Sequence, residues 1–347
     1  MEGSKLSSVK CNAKKRQGDL EPNGGNNQRF LDQRPIVVCP KCGELGKLYY
    51  SPKIKWYVKH GKRRTHYINS SESLEFQLHD PRLAIIWYMG GDGNLLTHLS
   101  KMIPPHWCYV EVFGGGAPLL LNKSPSPVEI YNDVDGDLVN LFRVVRENLD
   151  EFLRRTEWLL VSRQQYYEFL HNYRDIKDPV DRAVAYWYII RLSFMGKFGG
   201  GFSTSTKNNH AKSFWNTVEK LRLIHERLKN VVIEQLDFRE VLKKYDSKET
   251  FFYLDPPHLY ASTEKGKDYY REKFTDNDYM ELLRILEGIR GKWLLKQVGA
   301  VPWIKDWAKK HGYHVKRLAV KMSCRPNPRD EVNPQYKLYF IANYVLP

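Results

Sequence analysis

Phe251-Phe252-Tyr253-Leu254-Asp255-Pro256-Pro257-His258 is the stretch on which the fold of this 347-residue chain turns. Four apolar residues in a row, three of them aromatic, suit a strand buried on both faces of a sheet. The prolines that follow lack a backbone N–H and have a fixed φ, so the ladder stops and the next backbone is stiff. The spacing therefore predicts a carboxylate, Asp255, held at the C-terminal end of a strand. That edge is where open α/β sheets bind ligands. Rigid carbonyls beside an acid can accept hydrogen bonds from an amino group, so the corner suits chemistry on an exocyclic NH2. Alone, the same residues would also serve as a simple turn.

Upstream, Cys108-Tyr109-Val110-Glu111-Val112-Phe113 reads as another strand and runs into Gly114-Gly115-Gly116-Ala117-Pro118. A further strand, Val128 to Tyr131, ends at Asn132-Asp133-Val134-Asp135, and an amphipathic helix follows with Leu138, Leu141, Phe142, Val145 and Leu149 on one face. Strand, glycine turn, helix, strand and acid in that order mark a nucleoside-cofactor site in a doubly wound sheet. The glycines are consecutive and no cation sits among them, unlike a loop that cradles a polyphosphate. With an acid placed for ribose hydroxyls, the pattern favours an adenosyl cofactor.

The sheet is expected to resume at Val231–Glu234 before Asp237-Phe238, then at residues 251–254, 293–295 and 336–344. Thr275-Asp276-Asn277-Asp278 reads as a capping box that opens a helix carrying Tyr279, Leu282, Leu283 and Leu286. Residues 151–230 read as mostly helical, broken by Ser193 to Phe202 and by Lys207-Asn208-Asn209-His210. A loop so rich in Gly, Lys and Asn, flanked by aromatics, suits entry into a DNA groove.

Lys and Arg number 55 against 40 acids, a net charge of +15, which favours a polyanionic partner. The five cysteines, Cys11, Cys39, Cys42, Cys108 and Cys324, do not read as a disulfide framework. Cys39-Pro40-Lys41-Cys42-Gly43 followed by His60 and His66 has the order of a structural zinc site. Two thiolates and two imidazoles fill tetrahedral zinc and leave no position open for water. Lys53, Lys55, Lys59, Lys62, Arg63 and Arg64 crowd the same stretch around Trp56 and Tyr57, as a phosphate-contacting surface would. With no long apolar run and no apolar leader, a cytoplasmic protein without membrane insertion is expected.

Taken in order, these motifs resemble those of the alpha-class, Dam-like adenine-N6 DNA methyltransferases over roughly residues 85–345. Tyr88-Met89-Gly90-Gly91 is similar to the family's first cofactor motif, and Val112 to Ala117, with Phe113, Gly114, Gly115 and Gly116, to its S-adenosylmethionine loop. Asp133 stands where the family has its ribose-binding acid, Asp237-Phe238 where it contacts the cofactor adenine, and Asp255-Pro256-Pro257-His258 where it has the catalytic tetrapeptide. Two positions depart from the pattern: His258 stands where an aromatic, most often Tyr, is usual, and Asp92 where a Lys is usual.

The resemblance implies a Rossmann-like methyltransferase domain over residues 82–150 and 231–347, with residues 151–230 as an inserted target-recognition region. Ahead of it, the residues themselves predict a disordered basic arm over 1–35 and a zinc-ribbon-like module over 36–70, outside the resemblance. It further implies methylation of adenine N6 in double-stranded DNA by base flipping and in-line transfer, and leaves room for a restriction endonuclease as partner. At this point cytosine N4 or RNA as the methylated substrate, and a non-catalytic zinc-containing DNA-binding protein, remain open.

Overall fold

A computed structural model describes residues 83–86, 93, 95–257, 274–298, 301–321 and 335–347, and the strand pairing of residues 36–38, 45–51, 55–60 and 64–68. The chain divides into two units, Met1–Arg82 and Leu83–Pro347.

The first unit contains an antiparallel meander of β1 (Ile36–Val38), β2 (Leu45–Ser51), β3 (Lys55–His60) and β4 (Arg64–Ile68). Val38 pairs with Leu45 and His60 with Arg64, so the β1–β2 ends and the β3–β4 ends fall on the same side of the meander. Cys39 and Cys42 lie outside the described residues.

The second unit is built on seven strands: β5 (Cys108–Glu111), β6 (Val128–Asn132), β7 (Val231–Glu234), β8 (Thr250–Leu254), β9 (Lys292–Val298), β10 (His314–Lys321) and β11 (Gln335–Ala342). Their order is β10-β11-β9-β8-β5-β6-β7. The pairs from β7 to β9 are all parallel, while β11 runs antiparallel to both β9 and β10. This is a Rossmann-like, doubly wound sheet with one reversed strand inserted beside its edge. The chain leaves β5 towards β6 and β7, then returns to the other side of β5 as β8. The β5/β8 boundary is therefore the topological switch point, where a crevice opens beyond the strand ends.

Ten α-helices are described: α1 (Leu96–Met102), α2 (Pro118–Asn122), α3 (Gly136–Glu147), α4 (Leu149–Thr156), α5 (Arg163–Asn172), α6 (Pro179–Leu192), α7 (His210–Leu228), α8 (Phe238–Tyr245), α9 (Asp276–Gly288) and α10 (Pro302–Lys310). Leu149, expected on the same helix as Leu138, instead begins α4, because the helix breaks at Asn148. Alternate residues of β8 feed opposite faces of the sheet: Phe251 and Tyr253 join the core under α1 to α7, and Phe252 and Leu254 the core under α8 to α10. Every residue of β8 is buried, which is why its sequence is a continuous apolar run and not an alternating one.

Helices α4 to α7 share the first of these cores with the sheet. At their centre is α6, whose residues from Ala183 to Ile190 are all buried; Trp187 donates its indole N–H to the carbonyl of Ile85 at 2.8 Å. Helix α9 opens with the expected capping box between Thr275 and Asp278. No helix among the described residues is long and apolar enough to cross a membrane.

Candidate active site

The C-terminal ends of β5, β6 and β8 meet at the switch point. After β5 the chain must turn sharply into α2. Gly114 makes the closest approach: a Cβ there would lie 2.2 Å from the Tyr131 ring and 2.8 Å from the Asn132 carbonyl, so no other residue fits. Tyr131 cannot yield, since it is stacked on Phe142 at 4.1 Å. Gly115 follows with φ +50 and Ala117 with φ +49, an unusual value for a residue with a Cβ. The Tyr131 hydroxyl donates to the Gly115 carbonyl at 2.9 Å.

Two residues at the end of β6 hold this turn. Asn132 is buried, and its side-chain amide donates to the carbonyls of Val112 (2.9 Å) and Leu236 (3.0 Å) and accepts the Leu236 N–H at 2.9 Å. It thereby ties the ends of three neighbouring strands. Asp133 accepts the N–H groups of Gly115 (2.8 Å) and Asp135 (2.9 Å). Burial pushes its carboxyl up to about 6, against the lowering effect of the backbone N–H groups of Asp135, Gly115 and Val134. Asp135 caps α3 and accepts the Tyr186 hydroxyl at 3.2 Å.

Across the same edge, Phe113, Phe238 and Phe274 form a ring triangle with centroids 5.6–5.8 Å apart. Asp237 caps α8 by accepting the Arg239 N–H, and the Arg239 guanidinium bridges it to Asp278 and Glu281 on α9.

Asp255 leaves β8 at the other side of the crevice, followed by Pro256, which is buried, and Pro257. The β8–β9 register ends at Leu254 beside Leu295, which brings Asp255 level with Lys296. Lys296 Nζ donates to Asp255 Oδ2 at 2.8 Å, with the lysine side chain 2% and the aspartate side chain 20% exposed. The second oxygen, Oδ1, is buried and has no hydrogen-bond partner. Burial pushes this carboxyl up, and the Lys296 charge and hydrogen bond pull it back down.

Of the residues singled out in the sequence, Phe113, Gly114, Gly115, Gly116, Asp133, Asp237, Phe238, Asp255, Pro256 and Pro257 all follow the C-terminal ends of strands on one edge of the sheet. Tyr88, Gly90, Gly91, Asp92 and His258 lie outside the described residues. So do Cys39 and Cys42, while His60 and His66 are described only through the pairing of β3 and β4. Among the described residues no group of three or more His, Cys, Asp or Glu side chains is arranged to hold a metal.

Sequence reading missed Lys296 and Phe274, and quoted Asn132 beside Asp133 without its role in tying the strand ends. The signal for Lys296 was present: one lysine inside the run Trp293-Leu294-Leu295-Lys296-Gln297-Val298 must be buried if the strand is, and a buried lysine needs a partner.

The crevice fits an adenosyl cofactor by its own features. Gly114 lets the turn pack directly on Tyr131, Asp133 stands at the end of the strand after the turn, and the Phe113, Phe238 and Phe274 rings cluster along the same edge. A family model of the D12 class N6 adenine-specific DNA methyltransferases matches residues 88–322, and the chain belongs to this family. It is 24% identical over 267 residues to a DNA adenine methylase of Escherichia coli strain K12, covering 74% of this chain and 95% of that one. Identity is also 24% over 275 residues to the type II methyltransferase M.MjaIII of Methanocaldococcus jannaschii, covering 70% and 94%. Among solved structures, a precorrin-6y C5,15-methyltransferase from Geobacter metallireducens superposes with a TM-score of 0.30 at 10% identity, over 72% of this chain and 85% of that one. The strand order carries the fold. The chain is thus an S-adenosylmethionine-dependent methyltransferase acting on adenine N6 in DNA.

Proposed function

We propose that Asp255 is the residue that activates the adenine amino group, with double-stranded DNA as the substrate and the base turned out of the helix into the crevice. The observation that carries this reading is the buried, unpartnered Oδ1 of Asp255 at the switch point. A buried acceptor without a donor is costly unless a ligand supplies one.

Adenine N6 is a poor nucleophile because its lone pair is delocalised into the ring. Asp255 Oδ1 would accept one N6 hydrogen and the Pro256 carbonyl the other, drawing N6 towards a tetrahedral, nucleophilic geometry. Pro256 and Pro257 keep that acceptor pair from drifting. The surplus N6 proton is then held at Asp255 Oδ1. Bound S-adenosylmethionine supplies the electrophilic methyl group. Asp133 would hold its ribose hydroxyls, Gly114, Gly115 and Gly116 its backbone approach, and Phe113, Asp237 and Phe238 its adenine, with Tyr88, Gly90 and Gly91 completing the cofactor site. Flipping the base costs a few kcal/mol of lost stacking. His258 is the residue proposed to stack on the flipped ring.

The helical region 151–230 is proposed to read the target sequence. Supporting this, the loop from Ser193 to Phe202 exposes Phe194 and Met195 and is closed by the pairing of those two end residues. Cys39, Cys42, His60 and His66 are proposed to hold a structural zinc, supported by the common side of the β1–β2 and β3–β4 strand ends. The likeness to a type II methyltransferase favours a restriction endonuclease as a partner in the cell.

Asp255→Ala tests the central assignment. It is expected to abolish methyl transfer from labelled cofactor to duplex DNA while still binding the cofactor; parental turnover in that variant would refute it.

A further inference from the structure

Resting on the reading of Asp255 as the amino-group acceptor, we propose that Lys296 is a positioning residue for methyl transfer: it ties down Oδ2 of Asp255 so that Oδ1 alone faces the incoming amino group as a carboxylate. Parallel register sets the pair up. Leu254 lies beside Leu295, so the next residues, Asp255 and Lys296, are level at the C-terminal edge. Both also share a sheet face. Leu254 and Leu295 belong to the core under α8 to α10, and their strand neighbours Tyr253 and Leu294 to the opposite core. Residues two places on from Tyr253 and Leu294 are Asp255 and Lys296.

The contact is a built one. Lys296 Nζ lies 2.8 Å from Oδ2, and the lysine side chain is 2% exposed. A buried ammonium holds its place only with partners, and a carboxylate bonded through one oxygen cannot rotate freely. Without the cation, burial would favour the protonated acid, whose remaining oxygen is a weaker acceptor and whose proton competes with the N6 hydrogen. Other groups around the carboxylate do not replace the lysine. On α9, Tyr279 donates its hydroxyl to Gln297 Oε1 at 2.6 Å, and burial and the Asp255 charge raise its pKa. On β5, the buried Glu111 accepts the Tyr109 hydroxyl and the Leu120 N–H. Burial raises the Asp255 carboxyl, and the Lys296 charge and hydrogen bond oppose that shift.

Variants at Asp255 and Lys296 test this, each assayed for methyl transfer to an adenine-containing duplex and for S-adenosylhomocysteine binding by calorimetry. Asp255→Asn reads the underlying assignment: parental turnover would remove Asp255 as the acceptor and this proposal with it. With Asp255→Asn inactive, Lys296→Met decides. Its kcat near neutral pH is expected to fall by about 100-fold, with the inhibitor Kd and the KM for DNA within about twofold. Much of that loss should return by about pH 9, because raising pH ionises the carboxyl that has lost its cation. Lys296→Arg keeps the charge and should retain more activity than Lys296→Met. Parental kcat in Lys296→Met, or a loss that stays constant with pH, overturns the positioning role while leaving Asp255 as acceptor. Should Lys296→Met fail to bind the inhibitor, Lys296→Gln gives the same reading: pH-recoverable loss supports the role, and parental kcat or a pH-independent loss overturns it.

Discussion

The Asp133 carboxylate accepts the backbone N–H of Gly115 at 2.8 Å, so the acid that follows β6 holds the turn that follows β5. One side chain shapes the glycine loop, and it is the acid proposed to hold the cofactor ribose. This coupling makes the loop and the acid a single unit that stands or falls together.

Cofactor affinity should follow the ionisation of Asp133. Its carboxyl is raised to about 6 by burial. A raised folded-state value means that this group favours folding at acidic pH and loses that contribution as pH climbs through about 6. Binding has the opposite sign, because two ribose hydroxyls need an ionised acceptor. Calorimetric affinity for S-adenosylhomocysteine is therefore expected to weaken below about pH 6, and Asp133→Asn to weaken it about 10-fold or more at neutral pH and flatten the profile. An unchanged profile in Asp133→Asn would exclude this acid from the cofactor site.

Gly114→Ala should damage the loop directly. The new methyl would meet the Tyr131 ring at 2.2 Å, and that ring is pinned on Phe142. We expect a loss of about 1–3 kcal/mol in stability from the enforced shift, together with a sharp drop in cofactor affinity. Parental Tm and affinity would show that the turn can open without cost.

Asn132→Leu should destabilise without touching any ligand. The side chain satisfies the Val112 carbonyl and both backbone groups of Leu236, all at the sheet edge. Leaving these groups unpaired beside an apolar side chain is expected to cost about 3 kcal/mol, read as a lower denaturation midpoint. A change under about 1 kcal/mol would mean that water replaces the amide.

Cys39→Ser combined with Cys42→Ser should release zinc and weaken DNA binding more than it slows methyl transfer once DNA is bound. Elemental analysis of the purified protein reads the first expectation, and a DNA titration the second. Equal metal content in parent and variant would sink the zinc assignment.

Local chemistry explains which elements were legible. β5, β6 and β8 are short apolar runs, and the glycines, acids and prolines after them stop the ladder, so both strand and ligand edge showed in one dimension. The Thr275–Asp278 capping box did likewise for α9. β10 and α10 were not anticipated. His314–Lys321 mixes apolar and basic residues because it forms the outer edge of the sheet, paired only with β11. α10, Pro302–Lys310, buries just Ile304 and Ala308, too few positions to announce a period. The helices of residues 151–230 were expected, but nothing in their pattern revealed that α6 sits at the centre of a helical layer and is buried along most of its length.

By itself, the order of residues determined the doubly wound sheet, the glycine turn, the acid after it and the Asp-Pro-Pro corner, because each is written in contiguous residues whose backbone preferences are local. Only the tertiary structure decided that Lys296 meets Asp255 and that Asn132 ties three strand ends together. Those contacts join residues about 40 and 100 positions apart along the chain. They depend on which strands become neighbours and in what register, and parallel register is set by packing of the whole sheet rather than by any stretch of sequence.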